Sequence, residues 1–359
     1  MAHRPVIKIA LVGFGTAAHA FLALLYEKRN LLPFTAAISG VIFKDHGFHG
    51  LHGKALLLEK FIETPPPMHS ITGGVSRFIK KINADVLLEL TPLNIQNGEP
   101  AAGYLRAAIN RGIHIISSNK GPIAFHFDTL NQLALQNKLC FLFGATIGKG
   151  LPVFTLKRYA SPTAQFSSIR AQLNSTTNYV LTRMQEGVPE MQAVAEAQAA
   201  GMCEYSPHLD LDGWDGAIQS AILANVLMQK LEVEAVFRDK FQSRAGEIIK
   251  RTQRSANKVR QIVHIENANN EVKASVRLQV ISEGDPFFHL QASDYAITLE
   301  SDTMGELTLT TKSPTKQNTA SALLADLCDI YYRGIKQQKD PELFDLDFDS
   351  PAMEPAADK

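Results

Sequence analysis

The chain has 359 residues, 45% of them hydrophobic and 20% charged, the composition of a soluble globular protein with more chain than one ordinary core needs. Lys plus Arg and Asp plus Glu are both 36, so a net charge of zero gives no electrostatic reason to expect nucleic acid or an anionic membrane as partner. Cys140, Cys203 and Cys328 are isolated and make neither a disulfide framework nor a metal spacing; no apolar run is long enough to span a bilayer, and Met1–Pro5 runs into a strand without a signal peptide, so a reducing cytoplasm is expected.

Val6–Gly13 is a β-branched run suited to a buried parallel strand, and it breaks at Gly13-Phe14-Gly15-Thr16-Ala17-Ala18 before a helical spacing over His19–Lys28. Strand, glycine turn and helix in that order are the context of a dinucleotide fingerprint. Gly13 permits the tight turn, Gly15 lets the backbone approach a pyrophosphate at the helix N-terminus, and Ala18 replaces the third glycine. Phe34–Phe43 reads as the second strand. The acid that would bind a ribose hydroxyl is absent from its expected end, Ala37-Ile38-Ser39-Gly40, and Lys44 follows, so the choice between NAD and NADP stays open. His46–Pro67 reads as an insertion loop with a short helix; His46, His49 and His52 recur every three residues but no Cys or carboxylate completes a zinc set.

Ala84–Leu90 reads as a strand ending at Thr91-Pro92, Gly98–Asn110 as a helix and Gly112–Ser117 as the next strand. Ser118-Asn119-Lys120 then falls at the carboxyl edge of that strand, where open α/β sheets place their ligands. A helix over Phe127–Gln136 and a strand over Leu139–Phe143 lead to a glycine-rich turn from Gly144 to Pro152. Beyond it the spacing predicts a half-exposed strand over Ser167–Ser175, helices over Thr176–Met184 and Pro189–Ala200, and antiparallel strands at Glu271–Ile281, Tyr295–Glu300 and Gly305–Thr311. Between these lies Glu204–Gln219, with Glu204, Asp210, Asp212 and Asp215 at the mouth of an apolar helix that runs to Met228. Asp212 and Gly213 are expected at its N-cap, which puts positions 215 and 219 on one helix face. Acidic groups gathered at the mouth of a buried helix are costly unless they bind something.

In the same order along the chain, Gly13–Ala18, Ser118–Pro122, Ala145–Pro152, Asn174–Tyr179 (N-S-T-T-N-Y) and Glu196–Gly201 leading to Asp215 make this sequence similar to the homoserine dehydrogenase family, from about Ile7 to Tyr331. The resemblance implies an α/β fold: a Rossmann-type nucleotide-binding domain over 1–150, an α+β substrate and dimerisation domain with a mixed sheet over 151–318, and a helix over 319–335 returning to the first domain. An acidic tail over 336–359 follows. It implies reduction of aspartate semialdehyde to homoserine with NADP or NAD by a homodimer. Lys120 would sit beside the reacting carbonyl. Glu204, Asp210 and Asp215 would hold the substrate amine and hydroxyl, and Asn174, Ser175 and Thr176 would form a substrate-contacting turn. Gly13, Gly15, Thr16, Ala17, Thr91, Pro92, Ser118 and Asn119 would line the cofactor, and the backbone of Gly144, Ile147, Lys149 and Leu151 would match a loop that can bind Na⁺ or K⁺.

The chain departs from the family pattern at Gly144, where a glutamate is common, at Gln172, at Ser175, at Lys312–Thr315, and above all at Gln219, where the family places a second lysine that donates a proton. A glutamine supplies no transferable proton near neutral pH. Three readings therefore stand: a homoserine dehydrogenase with a modified proton relay, a dehydrogenase of a related small amino or hydroxy acid, and a cofactor-binding homologue without this activity. If the vacancy alone impairs the site, Gln219→Lys should raise homoserine oxidation about tenfold or more, part of the ~2.7–4 kcal/mol an oxyanion donor contributes.

Overall fold

The computed structural model describes residues 4–50, 54–200, 202, 208–252, 254–269 and 271–335, so Cys203, Glu204, His52 and the 336–359 tail lie outside the described residues. In chain order the elements are β1 (Val6–Val12), α1 (Thr16–Lys28), β2 (Thr35–Phe43), β3 (His46–His49), β4 (Leu56–Leu57), α2 (Leu58–Glu63), β5 (His69–Ser70), α3 (Gly74–Lys81), β6 (Val86–Glu89), α4 (Ala101–Ile109), β7 (His114–Ser117), α5 (Lys120–Gln136) and β8 (Phe141–Leu142). They are followed by α6 (Val153–Tyr159), β9 (Phe166–Gln172), α7 (Ser175–Gln185), α8 (Glu190–Ala199), α9 (His208–Leu211), α10 (Trp214–Leu227), β10 (Phe237–Arg238), α11 (Phe241–Thr252), β11 (Lys258–Ala268), β12 (Glu271–Ile281), β13 (Tyr295–Ser301), β14 (Gly305–Thr311) and α12 (Lys316–Ile330).

Two sheets organise these elements. The first runs β5-β3-β2-β1-β6-β7-β8 with β4 also on β2. Its central strands β2, β1, β6, β7 and β8 are mutually parallel and buried on both faces, as their near-continuous Val, Ile and Leu demand. The chain leaves β1 toward β2 on one side and resumes on the other with β6, which makes the crevice beyond β1 and β6 the switch point where this architecture binds ligands. The second sheet, β10-β12-β11-β9-β13-β14, is antiparallel except for the short β10–β12 pair.

Four local expectations are corrected. The His46–His49 segment is a strand, antiparallel to the end of β2, so the insertion is an edge hairpin and not a plain loop. The carboxyl end of β2 lies at Phe43, next to the glycine turn (Gly13 N–H donates to Ile42 O at 2.8 Å), so the strand end beside that turn is Phe43-Lys44-Asp45, not Ala37-Ile38-Ser39-Gly40. The helix read over Phe127–Gln136 is preceded by a further helical segment from Lys120, joined to it as α5 across a kink at His126 (φ -133°) and capped by Asn119, which accepts from Gly121 N–H. At α10 the cap is Gly213 alone, at φ 74° and without a side-chain cap, so Asp212 does not serve.

The periodicity also left β11 and α11 unmarked. In β11 Arg260 and Gln261 are buried beside Val259 and Ile262, which erases the polar–apolar alternation that announces a strand.

The second sheet's apolar face carries Ile169, Ala171, Val263, Ile265, Val276, Ile297 and Leu299, all buried in one cluster with Ala217, Ile218, Ala221 and Ile222 of α10. Helix α10 is buried all round from Gly216 to Ala224, as its apolar sequence requires. Helix α12 returns to the first sheet, where Ala320, Leu323, Leu327 and Ile330 share a cluster with Ile7, Ile9, Phe21 and Leu25.

Candidate active site

Three elements converge on one carboxylate. Lys120, the first residue of α5, reaches across from the first sheet to Asp215, in the first turn of α10, and Nζ donates to Oδ1. The lysine side chain is 27% exposed and the aspartate 19%, so the pair is sheltered yet reachable by a small ligand. Burial pulls the Lys120 ammonium down, but the charge and hydrogen bond of Asp215, with smaller contributions from Tyr295 and Asp210, more than offset it and hold the lysine above its ordinary value. Lys120 is therefore charged at neutral pH and holds a proton it can give.

On the other oxygen of Asp215, Gln219 Nε2 donates at 2.8 Å and Asn174 Nδ2 approaches at 3.4 Å. The i, i+4 geometry on α10 produces the Gln219 contact, as the spacing predicts. Asn174 also donates to Asp210 Oδ1 at 2.8 Å, while its Oδ1 caps α7 by accepting from Thr177 N–H at 2.8 Å. Burial first, and then the Asp215 charge, raise the Asp210 carboxyl above its usual range; Asn174 and Lys120 pull it the other way. Ser175 Oγ lies 3.3 Å from the Tyr295 hydroxyl, and Thr176 Oγ1 donates to Met202 O at 2.8 Å and also lies within hydrogen-bond reach of the Asp210 carboxyl. The structure thus brings Lys120, Asp215, Asp210, Asn174, Ser175, Thr176 and Gln219 together; Glu204 lies outside the described residues.

Gln219 is 1% exposed, and both its amide nitrogen and its amide oxygen are engaged. Nε2 donates to Asp215 and to Leu173 O (3.4 Å), and Oε1 accepts from Gly148 N–H (3.3 Å). Lys149, a second lysine of the glycine-rich turn, does not reach Asp215: Nζ donates to Pro314 O at 3.2 Å and lies 5.5 Å from the centre of the Tyr295 ring. Burial, then repulsion from Lys120, lower its ammonium.

The glycine-rich turn is held by its own hydrogen bonds, with Ile147 O accepting from both Gly150 N–H (2.8 Å) and Leu151 N–H (3.0 Å) and Leu151 O accepting from Val153 N–H (2.8 Å). Of the carbonyls at Gly144, Ile147, Lys149 and Leu151, that of Ile147 has both lone pairs engaged and offers a cation nothing in this conformation. Among the described residues no cluster of three or more His, Cys, Asp or Glu side chains could hold a metal.

The dinucleotide turn fits its expected ligand. Gly13 has φ 96°, and a Cβ there would lie 2.5 Å from Leu90 O, so only glycine lets β1 turn against the end of β6. A Cβ on Gly15 would meet nothing within 4 Å, which leaves open space over the first turn of α1. That turn, beginning at Thr16 and Ala17, has no side-chain cap and no acidic residue, so its free N–H groups and positive dipole end face the open space, as a pyrophosphate requires. On the far side of the crevice Asn119 Nδ2 donates to Pro92 O (3.2 Å) and Thr91 Oγ1 (3.3 Å), and Ser118 N–H donates to Glu89 O (3.1 Å), which joins the β6 and β7 turns.

Two residues of this region escaped the sequence reading. Tyr295, at the start of β13, is 6% exposed and electrostatically coupled to Lys120, Asp210 and Asp215; burial raises its hydroxyl above its ordinary value. Nothing local marks it, because a strand-initial tyrosine is ordinary. Glu89 is 0% exposed at the end of β6; the signal was there, a charged residue in an otherwise apolar parallel strand.

Comparison with known proteins places these features in a lineage. A family model described as homoserine dehydrogenase matches residues 152–328. An NAD(+)-dependent homoserine dehydrogenase of Pseudomonas canavaninivorans is 30% identical over 345 residues, covering 92% of this chain and 98% of that protein. A homoserine dehydrogenase of Sulfurisphaera tokodaii is 29% identical over 297 residues, 82% of this chain and 90% of its own length. The solved structure of a hyperthermophilic archaeal homoserine dehydrogenase in complex with NADPH superposes with a TM-score of 0.77 at 22% identity, over 91% of this chain and 98% of that one, a likeness of fold.

Proposed function

Because this chain belongs to the homoserine dehydrogenase family of NAD(P)-dependent oxidoreductases, we propose that it interconverts homoserine and aspartate semialdehyde in the cleft between α5 and α10, with Lys120 as the proton donor to the aldehyde oxygen. The observation that carries this reading is the Lys120–Asp215 pair, a charged lysine held at the mouth of the cleft by the one carboxylate that also receives Gln219 and Asn174. In reduction a hydride forms the new C–H bond at the aldehyde carbon while the C=O π pair moves to oxygen and takes the Lys120 proton; oxidation runs the same steps backward. The nicotinamide supplies or accepts that hydride when bound. Asp210, beside the Lys120–Asp215 pair, would hold the substrate ammonium, and Gly13, Gly15 and the first turn of α1 would hold the pyrophosphate.

Gln219 belongs to the scaffold in this reading. It orients Asp215 and ties it to the Gly148 turn, and the relay needs one lysine, not two. The homodimer and a cytoplasmic setting are part of the proposal. Among the described residues no helix is long and apolar enough to cross a membrane.

Absorbance of NADH and NADPH, followed with homoserine and with aspartate semialdehyde, tests the reading. Wild type turns over at least one pair, and Lys120→Ala loses about 10²–10³ of kcat, the usual cost of a transition-state donor. NADH binding without turnover on either substrate would leave the cofactor-binding reading instead.

A further inference from the structure

We propose that Glu89 is a positioning residue for this reaction, a buried carboxylate that locks the Thr91–Pro92 turn to the Ser117–Asn119 turn and so fixes the start of the helix from which Lys120 reaches Asp215. The inference rests on the role given to Lys120 above.

Glu89 ends β6 between Val12 of β1 and Ser117 of β7, at the carboxyl edge of the three central strands. It is 0% exposed, and among the described residues it forms no ion pair. A carboxylate in such a place is costly unless hydrogen bonds replace its water. Thr91 N–H at 2.8 Å and the Thr91 hydroxyl do so on Oε1, the Ser117 hydroxyl at 2.9 Å does so on Oε2, and the Asn119 side chain adds a further hydrogen bond. Burial still holds the carboxyl above its ordinary range against those donors.

Each donor belongs to a turn that lines the cleft. From Thr91 and Pro92 the chain of bonds runs to Asn119 Nδ2, and from Ser117 Oγ to Asn119 N–H at 3.1 Å. Asn119 Oδ1 then accepts from Gly121 N–H at 3.0 Å and caps α5, whose first residue is Lys120. One carboxylate thus aligns two turns and a helix start within a few bonds of the donating lysine. An apolar residue would satisfy the strand equally well and align nothing. A displacement of about 1 Å at a reacting group can cost about 10²-fold in rate, so the alignment is worth a buried carboxyl group.

The test separates alignment from charge. Glu89→Gln keeps an acceptor for Thr91 and offers an amide N–H to Ser117 Oγ, whose own proton can turn to Asn119 O, 3.3 Å away. Glu89→Ala strands Thr91 N–H and two hydroxyls. Expected is a fall in kcat of about 10²-fold for Glu89→Ala with KM for homoserine changed less than about threefold, an alkaline limb moved to lower pH as Lys120 loses Asp215, and near wild-type values for Glu89→Gln.

A second measurement needs no turnover. The pH dependence of Lys120 acetylation by acetic anhydride, read by peptide mass on the folded protein, reports the lysine directly. Its midpoint should fall in Glu89→Ala and stay in place in Glu89→Gln; should Glu89→Ala not fold, Ser117→Ala should shift it the same way. An unmoved midpoint in the alanine variant that folds, or a glutamine variant as impaired as the alanine one, overturns the proposal. Absence of wild-type turnover with the midpoint shift intact would sink the dehydrogenase reading alone.

Discussion

At the scale of single residues, Asp215 is the point on which the cleft is balanced. It is shared by one lysine, one glutamine and one asparagine, and those neutral amides leave Lys120 as its sole ammonium among the described residues. The composition of the site alone makes Gln219→Lys look like a repair. The hydrogen bonds that Gln219 makes argue for the opposite outcome. A lysine at this 1% exposed position would put a second ammonium on a carboxylate already paired, and would leave Gly148 N–H without the acceptor that Gln219 Oε1 provides. Repulsion of that kind moves one of the two lysines off its carboxylate or deprotonates it. Gln219→Lys should therefore lower kcat about tenfold or more, with a Tm loss equivalent to about 1–3 kcal/mol for the unpaired amide. A gain in homoserine oxidation would restore the vacancy argument.

The elements explain which parts of the fold and site were legible in the sequence. Strand–glycine–helix at Val6–Lys28 and the 215/219 spacing declare themselves because a tight turn needs glycine and a helix face repeats every three to four residues. Lys120 and Asp215 could be suspected separately, but they lie 95 positions apart, and their meeting depends on how α5 docks on α10. Nothing in local periodicity encodes that docking, and the same holds for Tyr295.

The second sheet shows a different failure. Its alternating strands suggested an apolar face waiting for a partner subunit, yet that face is filled by α10; on the opposite face Ile262, Ile281 and Ala296 pack with Phe287 and Leu290, and the remainder is polar. Ser168, Arg170, His264, Ser275, Arg277, Thr298 and Thr308 occupy it, joined by Thr298–Thr308 at 2.8 Å and Ser168–His264 at 3.4 Å. A homodimer built on this face would be held by hydrogen bonds and trapped water more than by apolar burial, and would be sensitive to steric insults at its centre. Light scattering should give twice 39.4 kDa at micromolar concentration, and Ser168→Trp on the central strand β9 should give one chain's mass with NADH affinity retained. A wild-type monomer would place the assembly proposal in error.

For the whole molecule, α12 is the fastening that joins the end of the chain to the beginning. Leu323, Leu327 and Ile330 are each fully buried against the first sheet and α1, worth about 1.5–3 kcal/mol apiece by transfer of their apolar surface. The same helix carries a cost. Asp326 is 4% exposed, and burial pushes its carboxyl up to about 7, although Gly144 N–H donates to it at 2.8 Å and Arg158 lies near.

Its native value lies above the 3.8 of the free side chain, so the folded state binds this proton more tightly than the unfolded chain. Stability from Asp326 is full below about pH 3.8, declines as pH rises to about 7, and stays at the lower level beyond. At 1.36 kcal/mol per unit the total loss is at most about 4 kcal/mol, less than the apolar docking of α12 supplies, so the helix stays seated at alkaline pH.

Asp326→Asn keeps an acceptor for Gly144 N–H and removes the ionisation. The variant should therefore melt a few degrees above wild type at pH 8, with the gap shrinking as pH falls from 7 to 5. Its activity should follow wild type, because Asp326 touches the outer end of the glycine-rich turn and neither Lys120 nor Asp215. An equal change in Tm at pH 5 and pH 8 would mean that the carboxyl is not held protonated by burial, and the fastening would then owe nothing to pH.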